Sequence, residues 1–217
     1  MKRQFFLVTA LFVGLVSFSQ SDKYTTAMEQ LVPAVDTTMT PDGLNNLANS
    51  FQRIADAEKN QWLPYYYAAL ANVSAAYMMS MGQMGMADKT DLIADKAETL
   101  LNKAGELSKD NSEIYCVKKM IASLRLIGDP QNRYMTYGPA AEQALATAKS
   151  LNPANPRVTL LEAQDKLFTP EQFGGSKTEA KALFEEAVKK FEAFKPESTI
   201  HPSWGLRRAQ YFLTGIK

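Results

Sequence analysis

Residues 141–155 read AEQALATAKSLNPAN, and this stretch decides the fold. Ala141, Leu145, Ala148 and Leu151 follow one another at offsets of 4, 7 and 10 residues from the first, which places them on one face of a helix. Asn and Pro come directly afterwards, and both residue types commonly follow the end of a helix. Small alanines on either side of a leucine allow a neighbouring backbone to come close. The stretch therefore predicts an amphipathic helix that packs tightly against a partner helix.

The same pattern occurs in two other parts of the chain. In each copy an alanine is followed four residues later by a large apolar residue and then by a second alanine. The three copies are Ala97–Leu101–Ala104, Ala141–Leu145–Ala148 and Ala180–Phe184–Ala187. A degenerate fourth copy is Leu47–Phe51–Ile54. Recurrence of one helical unit along a chain is the signature of a repeat architecture.

Capping residues and prolines between the apolar faces set the bounds of the predicted helices. Thr40 and Pro41, for example, are typical of a helix N-cap and its first turn. The predicted helices cover about 26–35, 41–59, 62–80, 90–108, 112–127, 139–151, 156–168, 176–194 and 203–214. No stretch alternates polar and apolar residues between hairpin turns, so no sheet is predicted.

These units resemble tetratricopeptide repeats (TPR) over residues 44–214. The residues that carry the resemblance are the Ala-Leu/Phe-Ala faces and the Leu151-Asn-Pro-Ala-Asn155 stop. It implies an all-α fold, a right-handed superhelix of antiparallel A and B helices. The intervals Leu47–Ala97, Ala97–Ala141 and Ala141–Ala180 all exceed the usual period of about 34 residues. We therefore expect an irregular, TPR-like solenoid.

The additional residues lie between the A and B helices of each pair. The segments are SMGQMGMADKT, GDPQNRYMTYGP and FTPEQFGGSK. We predict three enlarged loops along one edge of the stack. They carry Met84, Met86, Tyr134, Met135, Tyr137, Phe168 and Phe173. Loops are where binding residues are frequently found.

The N-terminus is typical of a secretory signal peptide. Lys2 and Arg3 precede the apolar run FFLVTALFVGLV, and Ser17-Phe18-Ser19 offers a cleavage site. The run is shorter than the roughly 20 residues of a membrane span. We therefore expect residues 1–19 to be removed on export and residues 20–217 to form one domain. The expected location is the periplasm, with secretion as the alternative, and no membrane span is expected to remain after cleavage.

Composition excludes several functional classes. The chain has 24 Lys and Arg residues against 23 Asp and Glu residues, so it lacks the basic surface of a nucleic-acid-binding protein. Cys116 is the only cysteine and lies in an apolar helix, where we expect a small buried hydrophobe. His201, the only histidine, is expected in a turn before a helix. We predict no catalytic residues, no metal ligands and no cofactor.

The function predicted from these observations is non-enzymatic binding of a protein or peptide partner in the cell envelope. The A helices of TPR-like stacks line a concave surface, and the loop edge would extend it. The predicted partner-binding residues are Tyr66, Leu70, Met84, Met86, Tyr134, Tyr137, Leu160, Gln164, Phe168 and Phe173.

Two other functions remain open at the sequence level. Five methionines between Met78 and Met86 provide soft thioether ligands, so a periplasmic copper-binding protein is one alternative. The other is an enzyme that acts on envelope polymers through carboxylates, such as Glu171 or Glu179.

Overall fold

The computed structural model describes residues 22–81, 83 and 85–216. The predicted signal peptide and Met84 lie outside the described residues. Within the described part, the chain is all-α and contains no strand, which confirms the predicted fold class. The α-helices are α1 (Asp22–Leu31), α2 (Pro41–Ala57), α3 (Trp62–Ser80), α4 (Ala87–Leu107), α5 (Ser112–Gly128), α6 (Pro130–Leu151), α7 (Pro156–Phe168), α8 (Lys177–Ala193) and α9 (Leu206–Gly215). Two short 3-10 helices cover Val32–Asp36 and Glu171–Phe173.

Side-chain caps start many of these helices where the sequence predicts them. Thr40 Oγ1 accepts a hydrogen bond from the Gly43 N–H at 3.1 Å and starts α2. Asn111, Asn155 and Ser176 cap α5, α7 and α8 in the same way. Each cap satisfies a backbone N–H group that has no partner within the helix.

Consecutive helices pack against each other from α2 to α9, and α5 also contacts α3 and α7 across the pairs. The residues of the three repeated faces are all buried, in agreement with the close packing that the alanines predict. Helix α3 is buried over most of its surface, between α2, α4, α5 and the 3-10 helix at Val32–Asp36. This burial explains why its sequence is apolar on every side.

Helix α6 corrects one of the sequence predictions. We expected a loop over GDPQNRYMTYGP and a helix from residue 139, but α6 begins at Pro130. Asp129 caps the helix, Pro130 occupies its first turn, and Pro139 lies inside it. Pro130 fits a first turn, where its missing N–H would have no partner within the helix. The sequence prediction placed the helix start at Pro139 because an interior proline usually breaks a helix. The additional residues of this pair therefore extend a helix. Tyr134, Met135 and Tyr137 lie on that helix and not in a loop.

The segment FTPEQFGGSK lies largely outside the α-helices, as predicted, between Phe168 of α7 and Lys177 of α8. In SMGQMGMADKT, Ser80 ends α3 and α4 begins at Ala87, three residues earlier than the predicted start at residue 90. Met78 and Met79 belong to α3, whereas Met86 precedes α4.

Residues 194–205, here called the C-terminal segment, run back to the N-terminal elements. Ile200 and Trp204 are buried, and the Tyr67 hydroxyl donates a hydrogen bond to the Ile200 carbonyl at 3.1 Å. Gly205 has a φ of +116°, and a Cβ there would lie 2.5 Å from the Phe191 ring. Only glycine fits at this position. The C-terminal segment therefore completes the core around α3.

No helix in the described part of the chain is both long enough and apolar enough to cross a membrane.

Candidate functional site

Three of the predicted partner-binding residues are inside the core. Tyr66, Leu70 and Leu160 are fully buried, each with 0% exposure. Tyr66 receives a hydrogen bond from the Trp204 indole N–H at 2.8 Å, so the C-terminal segment covers it. The structure therefore differs from the expectation that these side chains face an open concave surface. Fully buried side chains are not accessible to a partner in this conformation, and their role in partner binding stays a prediction.

The remaining described residues of that set are accessible but do not form one continuous edge. Tyr134, Phe168 and Phe173 are exposed, whereas Met86, Tyr137 and Gln164 are half-buried. The Phe168 ring packs edge-on against Phe212 of α9, with ring centroids 5.4 Å apart. Met84 lies outside the described residues. Of the set, only Tyr137 lines the groove described next.

A groove of about 370 Å³ runs between α4 and α6, with α5 as its floor. We call it the α5 groove. Tyr115, Lys118, Ala122 and Arg125 form the floor, because their spacing places them on one face of α5. The opposite face carries Cys116 and Met120, which are buried. The groove therefore opens on the side of α5 away from those two core residues.

The walls of the α5 groove are mainly apolar or aromatic. Leu101 of α4 and Ile121 of α5 are apolar lining residues. On the α6 side, Ala140 and Ala144 have short side chains that leave the groove open. The Tyr137 ring stands at the wall, with the guanidinium groups of Arg125 and Arg133 at 5.8 and 6.0 Å from its centroid. Cations at this distance from an aromatic face are attracted to it.

Charged groups concentrate at the end of the groove near Arg125. Its Nη2 donates hydrogen bonds to Asp95 Oδ1 at 2.7 Å and to Glu98 Oε2 at 2.8 Å. Lys118 has a different environment, because its ammonium group lies 5.0 Å from the centre of the Tyr115 ring and forms no ion pair with a described carboxylate. The α5 groove thus suits a flat, largely apolar ligand that carries negative charge.

No model of a known protein family matches the chain, and no curated protein matches it. Among solved structures, the chain is similar to the HusA haemophore from Porphyromonas gingivalis. The two share 37% sequence identity, and the match covers 92% of this chain and 95% of the other, with a TM-score of 0.77. The chain belongs to the HusA haemophore family. Identity of this level over nearly the whole of both chains extends well beyond a shared fold.

The single histidine of this HusA-family chain lies in a turn with two polar neighbours. His201 Nδ1 lies 2.8 Å from Ser198 Oγ, and its Nε2 lies 3.3 Å from Glu197 Oε2. All three belong to one turn, as predicted for His201, and Glu197 is 85% exposed. Burial raises the pKa of the Cys116 thiol, which keeps it protonated and unreactive. Cys116 is fully buried, which confirms that prediction. The described residues contain no metal-holding cluster of His, Cys, Asp or Glu.

A second opening in this HusA-family fold lies at the turn after α7. It has a volume of about 250 Å³ and is lined by Lys166, Phe168 and Lys177 among others. Lys166 already pairs with Glu179 at 2.6 Å. The opening is smaller than the α5 groove and offers less apolar surface, so we regard the α5 groove as the candidate site.

A buried charge pair also supports the core. Arg157 is fully buried and donates from Nη1 to Glu113 Oε1 at 3.1 Å. Burial raises the pKa of the Glu113 carboxyl, although Arg157 and hydrogen bonds from Tyr66 and Asn155 act in the opposite direction. Sequence reasoning missed this cluster, because Arg157 directly follows the N-cap Asn155 and the first-turn Pro156, where a charged residue is usually exposed. The available signal was the position of Arg157 in an otherwise apolar helix face.

Proposed function

We propose that this chain is a non-enzymatic carrier of haem or a related porphyrin, which it holds in the α5 groove. The observation that carries the proposal is the 37% identity to the HusA haemophore over 92% of the chain. A haemophore is a haem-carrying protein. The predicted signal peptide supports export, so the proposed place of action is outside the cytoplasm.

The chemistry of the α5 groove supports this cargo. Haem is a flat, largely apolar macrocycle with two propionate carboxylates on its edge and an iron ion at its centre. Ala140 offers exposed apolar surface on α6, and the half-buried Tyr115 and Tyr137 offer aromatic faces, while Leu101 and Ile121 lie buried beneath them. Ligand sites of this type are mostly apolar with a few placed polar groups, and they usually have volumes of about 300–1,000 Å³.

The side chains that line the groove offer few ligands for haem iron. Tyr115 and Tyr137 have hydroxyl groups, and tyrosine is a known haem ligand. The single histidine, His201, lies in the C-terminal segment beside Trp62, with ring centroids 6.0 Å apart. The proposal therefore depends on contact with the macrocycle and its carboxylates and not on histidine ligation.

The sequence-based alternatives have less support. Binding of a peptide on the A-helix face needs Tyr66, Leu70 and Leu160, which are fully buried in the core. Copper binding by the Met78–Met86 region stays a prediction, because Met84 is outside the described residues. A right-handed, TPR-like superhelix remains our proposal for how the helical pairs are stacked.

Blocking the groove tests the proposed site. Ala140 lines the groove from α6, so Ala140→Trp places an indole in the space for the macrocycle. We expect haemin affinity to fall by about tenfold or more, since that corresponds to losing only about 1.4 kcal/mol of contact. The measurement is titration with haemin, monitored by the Soret band.

Ala146→Trp is the matched control. Ala146 is exposed on α6 and does not line the groove, so haemin affinity should stay at the wild-type value. If Ala140→Trp binds haemin as tightly as Ala146→Trp, the α5 groove is not the site. If the wild-type chain binds no haemin or metal-free porphyrin, the proposed function is wrong.

A further inference from the structure

Two cations lie on the floor of the α5 groove, and they differ in how they are balanced. Arg125 is held by two carboxylates, those of Asp95 and Glu98 at 2.7 and 2.8 Å. Its side chain is only 11% exposed. A ligand carboxylate would have to compete with both acids for this guanidinium. Arg125 is therefore already satisfied before any ligand enters.

Lys118 lies on the same face of α5 as Arg125, two turns nearer the start of the helix. It is half-buried, and its recorded contact is with the Tyr115 ring, 5.0 Å from its centre. Glu98 is the acidic residue of the lining, and it is bound to Arg125. The Lys118 ammonium therefore keeps its three donors available for a ligand.

Tyr115 sits one turn before Lys118 and contributes to the floor of the same groove. An aromatic face beside an available ammonium offers two contacts to one ligand: stacking against the ring system and a charge-assisted hydrogen bond to its edge. A half-buried ammonium is screened less by salt than a fully exposed one. The pair therefore favours planar ligands that carry a carboxylate within reach of Lys118.

We infer that Lys118 is the carboxylate anchor of the α5 groove and makes it selective for porphyrins with free carboxylates. Arg125 is a positioning residue that ties α4 to α5 and holds Glu98 away from the incoming anion. This inference rests on the proposed function and assigns the selectivity of that site to one residue.

The test compares two probes with the same macrocycle: protoporphyrin IX, with two free carboxylates, and its dimethyl ester, in which both are neutral methyl esters. Affinities are measured from porphyrin fluorescence for the wild-type chain, Lys118→Ala and Lys118→Arg. Wild type should prefer the diacid by about tenfold, because the charge-assisted hydrogen bond from Lys118 is weakened but not abolished by solvent at a half-buried position. Lys118→Ala should lose most of that preference through weaker diacid binding and leave ester binding unchanged. Lys118→Arg should restore it.

Lys189→Ala is the matched control, because Lys189 is exposed on α8 and lies outside the groove. It should behave as the wild type with both probes. Equal preference for the diacid in Lys118→Ala and wild type would overturn the inference while haemin binding still supports the proposed function. Loss of the preference in Arg125→Ala but not in Lys118→Ala would also overturn it. A wild-type chain that binds neither probe nor haemin contradicts the proposed function itself.

Discussion

Arg157 shows how much a single buried charge depends on its one carboxylate. Its Nε and Nη2 atoms have no hydrogen-bond partner, and its guanidinium lies 5.0–5.7 Å from the centres of the Phe191, Phe194 and Trp204 rings. Glu113 supplies the compensating negative charge. Such a pair contributes little net stability compared with an apolar replacement, but breaking it leaves a charge without compensation.

Removing the carboxylate alone should therefore destabilise the chain. We expect Glu113→Gln to lower the free energy of unfolding by about 3 kcal/mol at pH 7, as measured by urea denaturation. The double variant Glu113→Gln/Arg157→Met should recover most of the loss, because it removes both charges. A double variant that is no more stable than the single one would show that the pair is not the cause.

At the scale of elements, the first turns of α6 depend on contacts that are distant in sequence. Arg133 donates two hydrogen bonds to Asp91 of α4, at 2.7 and 2.6 Å. The same arginine donates to the Arg125 carbonyl at 3.3 Å. These contacts hold residues 130–138 as a helix beside the α5 groove, although Pro139 interrupts the backbone ladder behind them.

Asp91→Asn should loosen this segment and leave the rest of α6 intact. We expect faster amide exchange at residues 131–138 and unchanged exchange at residues 141–151. The global free energy of unfolding should fall by less than about 1 kcal/mol, since the pair is partly exposed. Uniform acceleration along the whole of α6 would contradict this local role.

The contribution of this pair should also depend on pH. The hydrogen bond from Arg133 is the main cause that lowers the pKa of Asp91 in the folded chain. The stabilisation is therefore complete above the usual aspartate pKa of about 3.9 and is lost as pH falls through the lower folded value. The difference in stability between wild type and Asp91→Asn should shrink below about pH 4, as followed by thermal unfolding at a series of pH values.

Comparison of α6 with its neighbours shows what the sequence could predict. The faces of Ala97–Leu101–Ala104 and Ala180–Phe184–Ala187 are local patterns, so they predicted helices and burial correctly. The start of α6 was wrong because Asp91 and Arg133 are distant in sequence and because Pro139 resembles a first-turn proline. In the candidate site, only Tyr137 was predicted. Lys118 and Tyr115 were missed because they become neighbours of α4 and α6 only through packing.

At the scale of the whole molecule, the C-terminal segment joins the two ends of the stack. The Thr199 hydroxyl donates to Glu29 of α1 at 2.6 Å, and the Gly205 N–H donates to Asp36 at 3.2 Å. Trp204 fills the space between α3 and α7 and donates to Tyr66. A core assembled from both ends of the chain should unfold as one unit.

Replacing Trp204 with alanine tests whether the molecule unfolds cooperatively. We expect Trp204→Ala to lower the free energy of unfolding by about 3–5 kcal/mol, because it removes a buried aromatic side chain and a hydrogen bond. Trp62, the first residue of α3, remains as a fluorescent reporter. The exposed neighbour Ser203→Ala should have little effect. If α1–α3 and α7–α9 unfolded in separate transitions in the wild type, the expectation of one cooperative unit would be wrong.

The late position of the C-terminal segment also affects how the protein is made. Synthesis proceeds from the N-terminus, so Tyr66 and Tyr67 leave the ribosome well over a hundred residues before Ile200 and Trp204 can cover them. During that interval α2, α4 and α5 can pack against α3, but the cover that Ile200 and Trp204 give to Tyr67 and Tyr66 is still missing. The core around α3 is therefore completed only after the C-terminal segment has been synthesised.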